Sequence, residues 1–263
     1  MQKQINTLLF DLDDTIILES KTARKSIIKN ITLAGLGIDT TDFFRTIHQQ
    51  ARELWYKMST IDYCLKIGIS SLEALWADFT GDDPELAQLR DLSPDYRYQT
   101  WYRTLLRYNI DDQVIALKLS TEYKEIRNSE HVLYPDTISV LTKLKAAYKL
   151  GLITNGTPDL QWKKIHGGNL EHFFEYIAIS GEHGFAKPDT RLFEIILNKI
   201  SSDPSGSLMI GNNMRTDIKG AQQAGLKTIW IHRDGEGVID IDTTPEFTIT
   251  SLTEINKILK KVN

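Results

Sequence analysis

The sequence predicts an α/β fold, in which a parallel sheet carries helices on both faces and is interrupted by an all-helical insertion. Three observations lead to this prediction. A short apolar run stands close to the start of the chain, at residues 7–10. From about residue 17 to residue 128, apolar side chains recur only at helical spacing. After residue 130, short apolar runs alternate with helical stretches, which is typical of strands joined by helices.

The insertion carries five apolar stripes with the three- and four-residue spacing of amphipathic helices. They fall at residues 23–34, 43–58, 72–79, 98–105 and 114–123. Thr41 stands just before the second stripe and is the candidate N-cap of its helix. The aromatic residues of these stripes are interpreted as the apolar core of a helical bundle.

Six short apolar runs predict the strands of the sheet, at residues 7–10, 150–154, 176–180, 208–211, 228–231 and 247–250. The first run lies before the insertion and the other five lie after it. We therefore predict an α/β domain made of residues 1–16 and 129–263, and an inserted helical domain made of residues 17–128. The stretch 234–245 contains several Gly and Asp residues and predicts a surface loop.

Charge and cysteine usage exclude several classes of protein. The 263 residues include 31 Lys and Arg against 35 Asp and Glu, a net charge of -4 that gives no indication of nucleic-acid binding. Cys64 is the only cysteine, which excludes an internal disulfide and favours a reducing compartment. The start of the sequence lacks the apolar segment of a secretory signal, and no run approaches the ~18 apolar residues of a membrane span. We expect a cytoplasmic protein without a membrane or nucleic-acid partner.

Polar residues collect where the predicted strands end. Ligands of open parallel sheets bind at the carboxyl ends of the strands, so these residues are the candidate site. Singly, each has a structural explanation, as a helix cap, a strand-end residue or a surface lysine, but their convergence favours a functional one. The candidates are Asp11, Asp13, Thr154, Asn155, Lys187, Asn212 and Asp217.

The carboxylates after the first strand need a cation. Asp11 and Asp13 place like charges close together at the end of a buried strand, which is unfavourable unless positive charge lies among them. Mg²⁺ binds carboxylate and carbonyl oxygens together with the oxygens of a substrate phosphate, and Lys187 supplies a second positive charge.

The segment after the second strand is a candidate anion cradle. Thr154 and the backbone amides of Asn155 and Gly156 stand just before a predicted helix, with Thr157 as its N-cap and Pro158 at its first position. Free amides at a helix start favour a phosphate group. A divalent cation and a phosphate would thus meet at one edge of the sheet.

Four sequence segments resemble the four motifs of the haloacid dehalogenase superfamily, in the family's order. They read FDLDDT, LITNG, AKPD and GNNMRTDIKGAQQAG. The resemblance covers the α/β part from end to end and implies a Rossmann-like core. The helical insertion is similar to the cap domain of the first subfamily, which closes over the site and suits small phosphorylated substrates.

The resemblance implies a role for each matching residue. Asp11 would be the nucleophile that forms an aspartyl-phosphate, already ionised at an ordinary pKa. Asp13 would be the general acid and then the general base, and its presence favours phosphate esters over carbon–halogen bonds. Thr154, Asn155 and Lys187 would bind the phosphoryl oxygens.

The fourth segment departs from the family pattern at the first of its two acidic positions. Asn212 stands there, and Asp217 matches the second. The implied Mg²⁺ ligands are Asp11, Asp13 through its carbonyl, and Asn212. Asp217 would either contact these ligands without binding the metal or serve as an alternative ligand. A neutral amide ligand predicts weaker Mg²⁺ binding. The alternatives are that Asp217 replaces Asn212 as a ligand, or that catalysis is weakened or lost.

Together these inferences predict a Mg²⁺-dependent phosphatase acting on a nucleotide monophosphate, a sugar phosphate or a phosphoglycolate-type metabolite, as a monomer or homodimer. A phosphomutase or phosphotransferase of the same superfamily is one alternative. A catalytically weakened protein that binds a phosphate ligand is the other, and Asn212 is the feature that favours it. Arg103 and Arg107 lie one helical turn apart, where a solvated basic face is favoured over a substrate contact.

Overall fold

The computed structural model describes residues 4–233, 240 and 242–262, so part of the predicted loop at 234–245 lies outside the described residues. The chain forms two compact units. An α/β unit comprises Met1–Leu18, Val132–Asn155 and Gly168–Asn263, and a helical unit comprises Glu19–His131 and Gly156–Gly167. The helical unit thus includes a segment that the predicted boundaries place in the α/β domain. The independence of the two domains stays a prediction.

The α/β unit is built on a six-stranded sheet in which all neighbouring strands are parallel, in the order β3-β2-β1-β4-β5-β6. This confirms the predicted Rossmann-like fold class. The strands are β1 Thr7–Phe10, β2 Lys149–Thr154, β3 Tyr176–Ile179, β4 Ser207–Gly211, β5 Lys227–Ile231 and β6 Phe247–Ile249. The helices of this unit are α6 Thr137–Lys145, α8 Ser180–His183, α9 Thr190–Ile200, α10 Lys219–Gln223 and α11 Ile255–Val262.

The central strands are continuous apolar runs because both faces of the sheet are covered. Every residue of β1 and β4 is buried. Leu9 lies opposite Gly151 on one side and Met209 on the other, in register. Leu9 and Met209 share an apolar cluster with Phe193 and Ile196 of α9. This packing brings the carboxyl ends of β1, β2 and β4 to the same edge of the sheet.

The helical unit is built around an aromatic core, as the apolar stripes predict. The ring of Phe43 lies 6.0 Å from that of Trp101 and 5.5 Å from that of Tyr108.

No helix among the described residues is long and apolar enough to cross a membrane. The helices are α1 Glu19–Leu33, α2 Thr40–Trp55, α3 Ile61–Ile67, α4 Pro84–Leu106, α5 Gln113–Ser129 and α7 Pro158–Gly167.

Two local predictions in this unit are wrong. The stripe at 72–79 is not a helix but a single 3-10 turn, Glu73–Leu75, because the Glu73 carboxylate binds the amide and hydroxyl of Ser70 and shapes a tight loop. Helix α2 is capped by Asp39, whose side chain accepts from the Asp42 amide, and not by Thr41. The carboxylate at position 39 is the stronger cap.

Candidate active site

Asp11 follows β1 directly and is held on three sides. Its amide donates to the carbonyl of Ile210 in β4 at 2.9 Å, which continues the sheet pairing by one residue. The Thr15 hydroxyl donates to one carboxylate oxygen at 3.0 Å, and Lys187 Nζ donates to the other at 2.7 Å. Only 6% of Asp11 is exposed. The carboxylate is therefore fixed in orientation at the end of the central strand.

Lys187 is the charge centre of the site. Its ammonium donates to Asp11 and to Asp217, at 2.7 Å in each case, and to the carbonyl of Ile153 at 2.9 Å. The backbone of Lys187 is fixed as well, because its amide donates to Asn155 Oδ1 at 2.9 Å while Asn155 Nδ2 donates to its carbonyl at 3.1 Å. The Asn155 side chain thus positions the lysine, a role that the sequence did not indicate.

Burial dominates the electrostatics of this group. Burial raises the pKa of Asp11, the Lys187 ammonium opposes this effect, and the charge of Asp217 adds to it. The resulting pKa of Asp11 is about 6. Burial lowers the pKa of Lys187, but the two carboxylates outweigh it and hold that pKa above its usual range. The expectation of an ordinary pKa for Asp11 is therefore wrong, although the carboxylate is still mostly ionised at pH 7.

Asp217 is placed by the segment that follows β4. One turn of π-helix, Met214–Ile218, begins with the Asn213 side chain accepting from two backbone amides. The Asn213 amide in turn donates to Asp217 Oδ2 at 2.9 Å. A Cβ on Gly211 would collide with this same oxygen, so the glycine allows Asp217 to approach the backbone closely.

The remaining candidates lie at the same strand ends. Thr154 is the last residue of β2 and is 1% exposed. Asp13 is half-buried and forms an isolated bridge with Ile17, across a turn in which Asp14 adopts a left-handed φ of 57°. Asn212 directly follows β4, and its carbonyl accepts from the Trp230 indole at 2.8 Å.

In the helical unit, the start of α7 differs from the predicted anion cradle. The Gly156 amide donates to the Ile67 carbonyl at 3.1 Å, which commits this amide to the protein. The Thr157 carbonyl accepts from the Gln161 amide, but its buried hydroxyl has no hydrogen-bond partner among the described residues. Thr157 therefore holds the predicted N-cap position before Pro158, but its side chain does not make the capping hydrogen bond.

The residues present fit a hard divalent cation. Asp11 and Asp217 are two buried carboxylates with one buried ammonium between them, which leaves a formal charge of about -1 to be balanced. Within the described part of the chain, no three His, Cys, Asp or Glu residues group as metal ligands. A cation here would therefore also use amide and carbonyl oxygens, such as those of Asn212 and Asp13.

Two contributors to this site were missed from the sequence. Thr15 orients Asp11, and Asn213 both caps the π-helical turn and donates to Asp217. The four-residue spacing from Asp11 to Thr15 is a signal for the first. Nothing in the spacing separates Asn213 from Asn212, because their roles depend on which one faces the turn.

Comparison with known proteins places this site in a family. A family described as haloacid dehalogenase-like hydrolase matches residues 5–225. The chain is 30% identical over 249 residues to a phosphoserine phosphatase of Thermus thermophilus, covering 94% of this chain and 96% of that protein. It is 35% identical over 262 residues to a glyceraldehyde 3-phosphate phosphatase of Methanothermobacter thermautotrophicus, covering 95% and 99%.

The fold is shared with solved structures. The HAD-hydrolase YfnB of Bacillus subtilis, in a crystal structure described as bound to magnesium, matches with a TM-score of 0.69 and 24% identity, covering 98% of this chain and 99% of that one. At this identity the likeness supports the fold alone. The family match spans most of the chain, and the 30%-identical relative is covered almost from end to end. The chain therefore belongs to the haloacid dehalogenase-like hydrolase family.

Proposed function

We propose that this protein is a Mg²⁺-dependent phosphatase that hydrolyses a small phosphorylated metabolite through an aspartyl-phosphate on Asp11. The family and its phosphatase relatives make the protein a phosphoric monoester hydrolase. The single observation that best supports the finer proposal is the Asp11 carboxylate itself. It is buried at a strand end and oriented by Thr15, with Lys187 beside it to stabilise negative charge.

In the proposed first step, an Asp11 carboxylate oxygen attacks phosphorus and the bond from phosphorus to the ester oxygen breaks. Asp13 donates a proton to the leaving oxygen. Lys187 and Thr154 hold the phosphoryl oxygens as negative charge spreads over them. Asp11, the Asp13 carbonyl and Asn212 would hold a Mg²⁺, which would supply further charge neutralisation.

In the second step, Asp13 takes a proton from water, which attacks the phosphorus of the aspartyl-phosphate. The acyl–phosphate bond breaks, and phosphate and the Asp11 carboxylate are released. Burial of Asp11 favours the first step, because a poorly solvated carboxylate that is held in place loses little hydration when it attacks. Asp217 has no reacting partner in this scheme and acts by holding Lys187.

The substrate is proposed only as a class. Relatives are named for phosphoserine, glyceraldehyde 3-phosphate and N-acylneuraminate 9-phosphate, all small phosphate monoesters. Arg103 and Arg107 are exposed on the helical unit, which supports the solvated-face interpretation over substrate contact. A phosphate-binding protein with weakened catalysis remains the second candidate, because Asn212 replaces a charged residue with a neutral one.

Hydrolysis of p-nitrophenyl phosphate with and without Mg²⁺ tests the proposal, with Asp11→Asn as the matched variant. The exchange preserves the shape of the side chain and removes its nucleophilic charge. We expect metal-dependent turnover by the parent and a loss of at least about 1,000-fold in Asp11→Asn. Comparable turnover by folded Asp11→Asn would contradict the aspartyl-phosphate route. No turnover by the parent would favour the phosphate-binding candidate.

A further inference from the structure

The peptide group that joins Asn212 to Asn213 is held at both of its polar ends by side chains of the α/β unit. Its carbonyl, on Asn212, accepts from the indole nitrogen of Trp230 at 2.8 Å. Its amide, on Asn213, donates to Asp217 Oδ2 at 2.9 Å. Because a peptide group is planar and rigid, an orientation imposed on the carbonyl is imposed on the amide as well. Trp230 and Asp217 are therefore linked through this one peptide.

Trp230 makes its contact from a fixed place in the sheet. Its backbone lies in β5, in register with Gly211 of β4 on one side and Thr248 of β6 on the other. The ring of His232, two residues along the same strand, lies 4.4 Å from the indole and limits its swing. No other side chain among the described residues donates to the Asn212 carbonyl. The indole is thus the side chain that sets the direction of this carbonyl.

At the other end of the peptide, the Asn213 amide fixes one of the two carboxylate oxygens of Asp217. The other oxygen, Oδ1, accepts from Lys187 Nζ at 2.7 Å and from the Thr216 hydroxyl at 3.3 Å. Asp217 is buried, so the loss of a donor at Oδ2 would leave a charged oxygen away from water, which is costly. Without the amide, the carboxylate is held at Oδ1 alone and can turn about the bond that carries it.

The same peptide bears on the implied metal ligand. Its orientation sets the ψ angle of Asn212, and the backbone angles of a residue restrict the rotamers that its side chain can adopt. Groups that orient metal ligands without binding the metal themselves change metal affinity by about 10- to 100-fold when they are removed. The indole contact therefore acts on the side chain of Asn212 as well as on Asp217.

We propose that Trp230 is a positioning residue of the candidate site, which acts by fixing the peptide between Asn212 and Asn213. Through the Asn213 amide, it orients Asp217 toward Lys187. Through the Asn212 backbone, it orients the side-chain oxygen that Asn212 offers to Mg²⁺. Trp230 itself takes no part in the making or breaking of bonds. The effect on Mg²⁺ rests on the proposed function, whereas the effect on Asp217 does not.

Trp230→Phe is the test variant, because it removes the indole N–H and keeps an aromatic ring beside His232. Trp55→Phe is the matched control. It makes the same exchange in the aromatic cluster of the helical unit, where Trp55 is buried. We expect the control to lower the melting temperature through lost packing, so that it separates a loss of stability from a loss of positioning.

The first readout is the amide proton of Asn213, followed by nuclear magnetic resonance in metal-free protein. A proton donated to a carboxylate resonates downfield and is protected from exchange with solvent. We expect an upfield shift and about tenfold faster exchange in Trp230→Phe, and the parent resonance in Trp55→Phe. An unchanged Asn213 amide in folded Trp230→Phe would overturn the inference.

A measurement on the parent alone covers the case in which Trp230→Phe does not fold. The indole proton of Trp230 is engaged by the Asn212 carbonyl, so it should exchange with solvent at least about tenfold more slowly than the indole proton of free tryptophan. Exchange as fast as in free tryptophan would overturn the inference without any variant.

The second readout is the dissociation constant of Mg²⁺, measured by calorimetry without substrate. We expect it to rise about tenfold in Trp230→Phe and to stay at the parent value in Trp55→Phe. A merely structural role of Trp230 would lower the melting temperature and leave this constant unchanged. Parent affinity in Trp230→Phe, together with a shifted Asn213 amide, would overturn the part of the inference that concerns Asn212.

Failure of the proposed function gives a different result. A parent protein that binds no Mg²⁺ and hydrolyses no phosphate ester would contradict the proposed phosphatase. The Asn213 amide would still decide the positioning of Asp217, because that readout needs neither metal nor turnover. A shifted amide in Trp230→Phe would then support the role of Trp230, and an unshifted one would contradict it.

Discussion

At the scale of single residues, the site is set by one lysine between two buried carboxylates. Lys187 compensates one of the two negative charges of Asp11 and Asp217, and burial keeps the pKa of Asp11 raised to about 6. A cation that binds beside Asp11 would relieve this cost, so metal affinity at this site should respond to any added negative charge at a ligand position.

Asn212→Asp is therefore expected to strengthen Mg²⁺ binding. A carboxylate in place of the amide adds a full charge at the predicted ligand position, and we expect half-maximal activity at about tenfold lower Mg²⁺. The Mg²⁺-induced rise in melting temperature provides a readout that does not depend on turnover, because a ligand that binds only the folded state stabilises it.

Asn213→Asp is the control for this prediction. It adds the same charge one residue away, and its carboxylate can still accept from the amides of Arg215 and Thr216. Equal shifts in both variants would show a general effect of charge, and no shift in Asn212→Asp would remove Asn212 from the metal site.

At the scale of elements, the sequence predicts the sheet well because each strand is a separate apolar run. All six predicted runs coincide with strands to within two residues at each end. Helix α3 and the 3-10 turn at Glu73 were not predicted, and at the turn the local polar contacts of Ser70 and Glu73 override the apolar spacing.

The sequence alone predicted the positions of Asp11, Thr154 and Asn212, because the apolar runs show where each strand ends and these residues stand at those ends. The side-chain pairings of Thr15 and Asn155 could not be predicted in this way. Thr15 contacts Asp11 from four residues away, beyond the end of the strand, and the strand pattern does not cover it. The Asn155 pairing joins β2 to the segment that carries Lys187, 32 residues along the chain, and depends on how the two lie together in space.

Asp136 joins three elements of the α/β unit and gives a prediction at this scale. It precedes α6 and accepts from Arg233 at 2.9 and 3.2 Å, from the Ser251 hydroxyl at 2.8 Å and from the Leu252 amide at 2.9 Å. Burial raises the pKa of Asp136, but the hydrogen bonds from Arg233 and Ser251 outweigh it and hold the pKa below its usual range.

Asp136→Asn should therefore lower the free energy of unfolding by about 2 kcal/mol at pH 7, less than for a fully dry ion pair because some solvent contact remains. Because the folded-state pKa of Asp136 is lowered, its carboxylate stabilises the folded state at pH values above the unfolded-state pKa near 3.8. This stabilisation is lost as the pH falls through the folded-state pKa. Urea unfolding should show the difference from the parent shrinking between about pH 4.5 and about pH 3.

The exposed Asp62 provides the matched control, as Asp62→Asn makes the same exchange at the surface of α3. We expect it to change the unfolding free energy by less than about 0.5 kcal/mol at either pH. A constant difference between Asp136→Asn and the parent across this pH range would contradict the role assigned to the charge of Asp136.

At the scale of the whole molecule, the apolar cluster of the helical unit and the apolar cluster around α9 share no residue. Phe43 is fully buried in the aromatic cluster of the helical unit, and Phe193 is fully buried in the aliphatic cluster of the α/β unit. The prediction of two domains implies that each core stabilises its own unit, so that unfolding is not a single cooperative transition.

Replacing one phenylalanine by alanine in each core tests whether the two units unfold separately. Phe43→Ala and Phe193→Ala should each cost about 3–5 kcal/mol in the unit that contains the cavity. Tryptophan fluorescence distinguishes the units, because Trp55, Trp76, Trp101 and Trp162 belong to the helical unit and Trp230 to the α/β unit.

In urea, Phe43→Ala should lower the midpoint seen by fluorescence well below that of Phe193→Ala, whereas far-ultraviolet circular dichroism should report both losses. If the two variants shift both probes equally, the chain unfolds as one unit and the two-domain prediction fails.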